Sequence, residues 1–174
     1  MFNATNLTIA KLGEKILRKK AKKVKNILDD EIQNFAKDML TCVKNKEGVG
    51  LAAPQVFKSL KIMIISSNPN NRYPNAPKKE PTVLINPKII KASKSKESEW
   101  EGCLSIPGIR AKVPRHKKIT VKYTTITNEK RVEKFEGFIA RVFQHEFDHL
   151  NGLVFLDRIK STKDIITEEV YFKK

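Results

Sequence analysis

His145-Glu146-Phe147-Asp148-His149 sets two imidazoles and a carboxylate at fixed spacing. Helical residues four apart project from one face, so His145 and His149 can reach one metal ion together. Glu146 lies beside that face, placed to take a proton from a water held by the ion. These residue types at this spacing point to metal-assisted hydrolysis. A surface helix carrying two ordinary histidines would show the same five letters, but the flanking residues argue against it. Phe138, Val142, His145 and His149 recur at i, i+4, i+7 and i+11, and Ile139, Phe143, Glu146 and Leu150 form the adjacent row. Both histidines therefore continue an apolar stripe. Buried imidazoles and a buried carboxylate need partners, which a metal ion and its water supply. The chain has only three histidines, and two of them are here.

Catalytic sites of this type take three protein ligands and leave one position open. No histidine follows His149, and Glu168 and Glu169 sit in a charged tail where they read as surface residues. Cys103 is the better third ligand. It is a soft donor in Trp100-Glu101-Gly102-Cys103-Leu104-Ser105, a segment too polar for a simple core strand. Cys42, the other cysteine, falls on the apolar side of an expected helix and reads as a small core residue. Two cysteines make no disulfide framework, and a thiolate ligand suits a reducing compartment.

The elements that must hold these groups can be read from pattern. The 174 residues fit one domain with a sizeable core. No apolar run approaches the ~20 residues of a membrane span. Met1-Phe2-Asn3-Ala4-Thr5-Asn6 shows no signal-peptide pattern, and no internal repeat is visible. Residues 29–46 read as an amphipathic helix, with Ile32, Phe35, Ala36, Met39, Leu40 and Val43 at helical spacing. Acidic residues crowd its start, lysines its end, and Gly48 is a stop. Residues 61–66 read as a strand, 68–81 as an Asn- and Pro-rich loop, and 83–92 as a strand bent at Pro87. Residues 117–126 and 131–135 form a hairpin around the turn 127–130. The H-E-x-x-H helix follows and breaks at Asn151-Gly152, and residues 161–170 read as a short terminal helix. The expected class is α+β, with small mixed β-sheets packed around a central buried helix carrying H-E-x-x-H.

The net charge is +16, from 35 Lys+Arg against 19 Asp+Glu. It concentrates at residues 11–25 and 110–118. One reading is an electrostatic footprint for RNA; the other is a lysine-rich genome. Lysine greatly outnumbers arginine, and no aromatic-interleaved basic module is present, which favours the second. Weak attraction to a polyanion such as a ribosome stays compatible with either, but sequence-specific nucleic-acid binding does not.

Three segments carry a resemblance. Gly48-Val49-Gly50-Leu51-Ala52-Ala53-Pro54-Gln55, Glu101-Gly102-Cys103-Leu104-Ser105 and Gln144-His145-Glu146-Phe147-Asp148-His149-Leu150 are similar, in order and without a gap, to the three motifs of the peptide deformylase family. Val83-Leu84-Ile85-Asn86-Pro87 and Val113-Pro114-Arg115 also look like the family. The resemblance implies that Cys103, His145 and His149 ligate the metal and that Glu146 is the general acid and base. It implies that the Gln55 amide and the Leu104 backbone N–H hold the formyl oxygen as it gains charge. Val49, Gly50 and Gly102 would line the cleft and pair with an extended peptide as an added strand. Val49, Phe138 and Val142 would form the methionine pocket. Arg141 stands where the family often has an apolar residue; its stem would line the pocket while the guanidinium reached solvent. Arg110, past Pro107-Gly108, would contact the backbone or carboxylate of short substrates. Asp148 and Arg115 would form either a supporting pair or an ordinary surface pair.

The implied activity is removal of the formyl group from formyl-methionine at the start of new chains, releasing formate, in a bacterial cytoplasm or an organelle. The implied cofactor is one divalent metal ion, ferrous iron ahead of zinc, nickel or cobalt. The implied partners are N-formyl-methionyl nascent peptides, met by a monomer with no membrane attachment. Two rival readings are an H-E-x-x-H metallopeptidase cutting internal amide bonds and a non-enzymatic basic RNA-binding module. The first needs a longer groove and a Glu or His third ligand; the second has no use for Glu146.

Overall fold

Helix α1, Asp30–Asn45, begins where the Asp29 side chain accepts the Glu31 backbone N–H at 2.9 Å. It is seen in a computed structural model that describes residues 7–173; the stretch Met1 to Asn6, read above for a signal pattern, lies outside the described residues. The helix buries Phe35, Ala36, Met39, Cys42 and Val43, the apolar face expected from their spacing. It stops before Gly48, as expected, and the left-handed residue of this end is Glu47 (φ 49°). Glu47 N–H bonds Lys44 O at 3.2 Å and Gly48 N–H bonds Val43 O at 3.0 Å, the paired closure of a Schellman end.

Among the described residues eight strands form two sheets. The first runs in the order β1 (Gly50–Ala52), β2 (Ile62–Ser67), β3 (Lys79–Ala92), β6 (Lys118–Thr124), β7 (Lys130–Glu136). The second runs β4 (Lys96–Cys103), β5 (Ile106–His116), β8 (Ile165–Thr167). Every pairing between these strands is antiparallel; among the described residues a parallel pairing occurs only as the isolated bridge between Lys22 and Leu60. Strand β3 bends where expected. Its register with β6 shifts between Ile85 and Lys88, and Asn86 takes φ 51°.

Helix α2, Gly137–Leu150, carries the H-E-x-x-H motif against the first sheet. Strand β2 is buried on both faces. Ile62 and Ile64 join the α1 core, while Met63 and Ile65 join Val142, Phe143 and Leu150 of α2. This two-sided burial explains the continuous apolar run Ile62-Met63-Ile64-Ile65. No helix of the described residues is long and apolar enough to cross a membrane.

Two segments depart from the sequence reading. Residues 161–170 do not form one helix. They give a short 3₁₀ turn (Thr162–Asp164), then β8, then α3 (Glu168–Phe172). Strand pairing wins because Ile165, Ile166 and Thr167 complete a ladder on β5, opposite Ala111, Arg110 and Ile109. The β4–β5 hairpin also lies outside the sequence reading, and Cys103, in a segment read as too polar for a simple core strand, ends β4.

Helix α2 ends as expected at Asn151-Gly152. Gly152 (φ 75°) donates to His149 O at 3.2 Å, and Leu153 donates to Asp148 O at 3.0 Å. A Cβ on Gly152 would lie 2.8 Å from Arg18 backbone atoms. Gly152→Ala therefore combines a left-handed penalty of ~1–2 kcal/mol with a backbone clash that must be relieved. We expect a loss of about 2–4 kcal/mol in urea unfolding; a loss under ~1 kcal/mol would show that the Arg18 segment yields freely.

Candidate active site

The Cys103 Sγ, His145 and His149 ligand atoms lie within 4.8 Å of one another. The sulfur comes from the end of β4, where the register with β5 shifts between Gly102 and Cys103. The imidazoles come from one face of α2, so the cluster bridges the second sheet and the central helix. Cys103 Sγ is 3.4 Å from His149 Nε2. Tetrahedral ligation at metal–sulfur ~2.3 Å and metal–nitrogen ~2.0–2.1 Å would separate these atoms by roughly 3.6 Å. The donor set thus fits a four-coordinate ion with one open position.

Glu101 fixes the first histidine. His145 Nδ1 donates to Glu101 Oε2 at 2.9 Å, which leaves Nε2 for an ion. Glu101 is gripped in turn by Arg115, whose Nε and Nη2 reach its two oxygens at 2.9 and 3.0 Å, and by Arg141 Nη1 at 2.8 Å. Burial alone would raise the Glu101 carboxyl, but Arg115 and His145 hold it well below the carboxylate range. Asp148 closes the far side, pairing with Arg115 Nη1 and with Arg158 Nη2 at 2.7 Å. Asp148 and Arg115 are therefore a buried supporting pair, not a surface one.

The reactive groups are equally constrained. Burial would raise the Cys103 thiol, yet the neighbouring His149 and His145 draw it well below its ordinary value, so the thiolate form is favoured. Glu146 is 4% exposed, and its Oε2 has no hydrogen-bond partner among the described residues. Burial pushes its carboxyl up to about 7, against the opposing pull of His145 and His149. Gly50 makes room for it: a Cβ there would lie 2.5 Å from Glu146 Oε1. Gln55 Oε1 accepts the Ala52 N–H at 2.8 Å, which turns Nε2 toward Ser105 Oγ (3.2 Å) and Cys103 Sγ (3.5 Å). A donor is thereby aimed at the cluster.

A cleft opens over these groups. Val49, Gly50, Gln55, Gly102, Cys103, Leu104, Phe138, Arg141, Val142, His145 and Glu146 line it, as the sequence reading brought them together. His149 lies beneath, fully buried. One wall is β1, an edge strand of the first sheet, and the other is β4, an edge strand of the second. An extended chain between them could pair with either edge.

Two arginines are not where the sequence placed them. The Arg141 stem lines the cleft, but its guanidinium does not reach solvent. It turns inward to Glu101, to Val113 O at 2.7 Å and to Glu97 O at 2.7 Å, and these acceptors satisfy its burial. Arg110 does not line the cleft. It is 0% exposed, covered by Tyr73, Tyr171 and Phe172, because the β5–β8 pairing carries α3 across it.

Sequence reasoning also missed residues. Glu101 has no role in the sequence reading beyond its place in the Glu101–Ser105 motif. It lies two positions before Cys103 on one strand, so both side chains share a face, and that spacing could have paired it with the ligand set. Arg72, Tyr73 and Trp100 line the cleft as well. The first two come from the Asn/Pro-rich loop, where Asn70 Oδ1 accepts both their N–H groups at 2.9 Å.

Residues 6–164 match the family model described as polypeptide deformylase. The chain is 48% identical to peptide deformylase 2 of Nostoc sp. over 170 residues, covering 98% of this chain and 95% of that one. Among solved structures it is similar to the Met-Ala-Ser-bound class I type b peptide deformylase from Acinetobacter baumannii, with 40% identity and TM-score 0.87 over 90% of this chain and 100% of that one. It is likewise similar to the Synechococcus elongatus peptide deformylase in complex with actinonin, with 36% identity and TM-score 0.81 over 94% of this chain and 84% of that one. A chain that matches the family model over most of its length, and whose two sheets and central helix follow those structures, belongs to the polypeptide deformylase family of enzymes.

Proposed function

We propose that this chain removes the N-terminal formyl group from formyl-methionine of newly made polypeptides, releasing formate, with one divalent ion held by Cys103, His145 and His149. The observation that carries this reading is the buried Glu146 carboxylate, whose Oε2 has no hydrogen-bond partner among the described residues, beside the three-ligand cluster in a cleft walled by two strand edges. An ion bound there would polarise the formyl carbonyl and acidify a water. Glu146 takes the proton of the attacking water. Gln55 Nε2 and the Leu104 N–H donate to the carbonyl oxygen as it becomes negative. Glu146 then returns the proton to the departing nitrogen as the C–N bond breaks, so that water and the formyl amide become formic acid, released as formate and a proton, and a free amine.

The backbone edges at Val49, Gly50 and Gly102 hold the peptide extended, while Phe138, Val142, Val49 and the Arg141 stem enclose the methionine side chain. Ferrous iron is the resident ion in this reading; zinc, nickel and cobalt suit the same donors. The setting is a bacterial cytoplasm or an organelle, with the chain acting as a monomer. Association with ribosomes through the basic surface is a further element of the proposal.

The test is formate release from formyl-Met-Ala-Ser beside its acetyl analogue, in metal-reconstituted and chelator-stripped protein. Release from the formyl peptide alone, lost on stripping and restored by ferrous or nickel ions, is the expected result. Cleavage inside unformylated peptides would favour the metallopeptidase reading, and no turnover with any ion would overturn the enzymatic one.

A further inference from the structure

Glu168, the first residue after β8, forms an ionic knot with Arg72 of the cleft wall. Because Thr167 pairs with Ile109, Glu168 comes level with Gly108, whose N–H it accepts at 3.3 Å through Oε2. Its Oε1 is 3.4 Å from Arg72 Nη2 and 3.4 Å from Arg110 Nε. The pairing at Arg110 is loose. The guanidinium is fully buried, yet Nε and Nη1 have no well-formed hydrogen bond among the described residues. Three aromatic faces, Tyr73, Tyr171 and Phe172, lie within 5.1 Å of its centre and shield it from water.

This knot adjoins the peptide-binding edge. Gly102 pairs with Arg110 across the hairpin, so both lie on one face of the sheet. A Cβ on Gly102 would lie 3.4 Å from both Glu168 Oε1 and Arg72 Nη2. Trp100, two residues before Gly102 on the same cleft wall, packs edge-on against Tyr171 of the tail. The side chain of Glu168 is 25% exposed, so a molecule in the cleft mouth can sense its charge.

We propose that Glu168 sets the charge preference of the cleft mouth. Arg72 and Arg110 form a two-cation site for a carboxylate, and the chain fills it with its own. Without that carboxylate the charge of Arg72 on the cleft wall, and that of Arg110 buried behind it, would stand uncompensated beside the Gly102 edge and would draw in peptides with an acidic residue downstream of the methionine. With it, such peptides gain little. The inference rests on the proposed deformylase reading for its substrates, but its charge argument does not need turnover.

The test compares Glu168→Gln with wild type on two amidated peptides, formyl-Met-Ala-Asp-amide and formyl-Met-Ala-Lys-amide. The ratio of their KM values should shift toward the acidic peptide by about 5- to 10-fold in the variant, as expected for a unit charge removed at several ångströms in a partly buried site. The shift should shrink in high salt. Arg72→Gln, which removes a cation and keeps Glu168, should move the ratio the other way, so a folding defect in one variant leaves the other decisive. Calorimetric binding of the unformylated Met-Ala-Asp-amide and Met-Ala-Lys-amide to the metal-loaded proteins reads the same ratio without catalysis. Absence of turnover would count against the deformylase reading, and the binding ratio would still decide on Glu168. Ratios unchanged within twofold in both variants would overturn the role assigned to Glu168.

Discussion

Glu146→Gln should keep the metal content of the wild type and lower formate release by about 10³- to 10⁴-fold. Glutamine preserves the size of the side chain against Gly50, where no added atom fits, so the cleft keeps its shape. What disappears is a group able to take a proton and give it back. No other carboxylate can stand in. Glu101 is committed to His145, Arg115 and Arg141, and Asp148 to Arg115 and Arg158. Metal content by elemental analysis, set beside single-turnover formate release, separates loss of the proton carrier from loss of the site. Full metal with turnover within tenfold of wild type would remove Glu146 from the mechanism.

Arg115→Ala should cause the largest loss of stability. Both carboxylates it serves are buried, and removing one member of a buried ion pair typically costs about 3–5 kcal/mol, because the remaining charge is stranded. For a chain of this length that is a fall in Tm of roughly 6–20 °C. The pH dependence has a definite sign. Glu101 and Asp148 are held below their ordinary values in the folded protein. Their contribution is therefore present above the unfolded carboxylate range near pH ~4 and is lost as pH falls through their folded values. The gap between wild type and Arg115→Ala should be widest near neutrality and narrow as the solution is taken below about pH 4. Denaturation by urea at several pH values on the metal-free proteins measures it. A gap independent of pH would mean that lost packing, not stranded charge, dominates. Metal affinity should fall too, by about 10- to 100-fold, since Glu101 would no longer be locked against His145.

How much of this could be read from the sequence depended on whether the signal was local. The H-E-x-x-H helix and α1 announced themselves through apolar residues at helical spacing, and the β6–β7 hairpin through alternation around Thr127-Asn128. Ordered motifs carried the ligand set, Gln55 and the cleft-lining residues. The β4–β5 hairpin was harder. Residues 96–99 are all exposed, so β4 has no alternation to detect until its buried end. Arg110 and Arg141 were misplaced for one reason. A guanidinium is ordinarily expected at the surface, and only partners distant in the chain overturn that. For Arg141 these are Glu101, Val113 O and Glu97 O; for Arg110 they are Glu168 and three rings. The choice between a surface and a supporting role for Asp148 and Arg115 failed to resolve for the same cause. The terminal strand β8 competes with a helix of similar local propensity, and the free edge of β5 decides between them.

The two open strand edges that wall the cleft carry another consequence. Unpaired edges ordinarily invite other proteins to add strands, and chains that keep them risk aggregation. Here β1 offers only Gly50–Ala52, and of β4 only Trp100, Glu101, Gly102 and Cys103 line the cleft, residues 96–99 being exposed outside it. The edge strand of a folded neighbour brings its whole body with it and cannot reach them. A single extended chain end can. In the proposed function, this recess favours a substrate that is still an extended chain end.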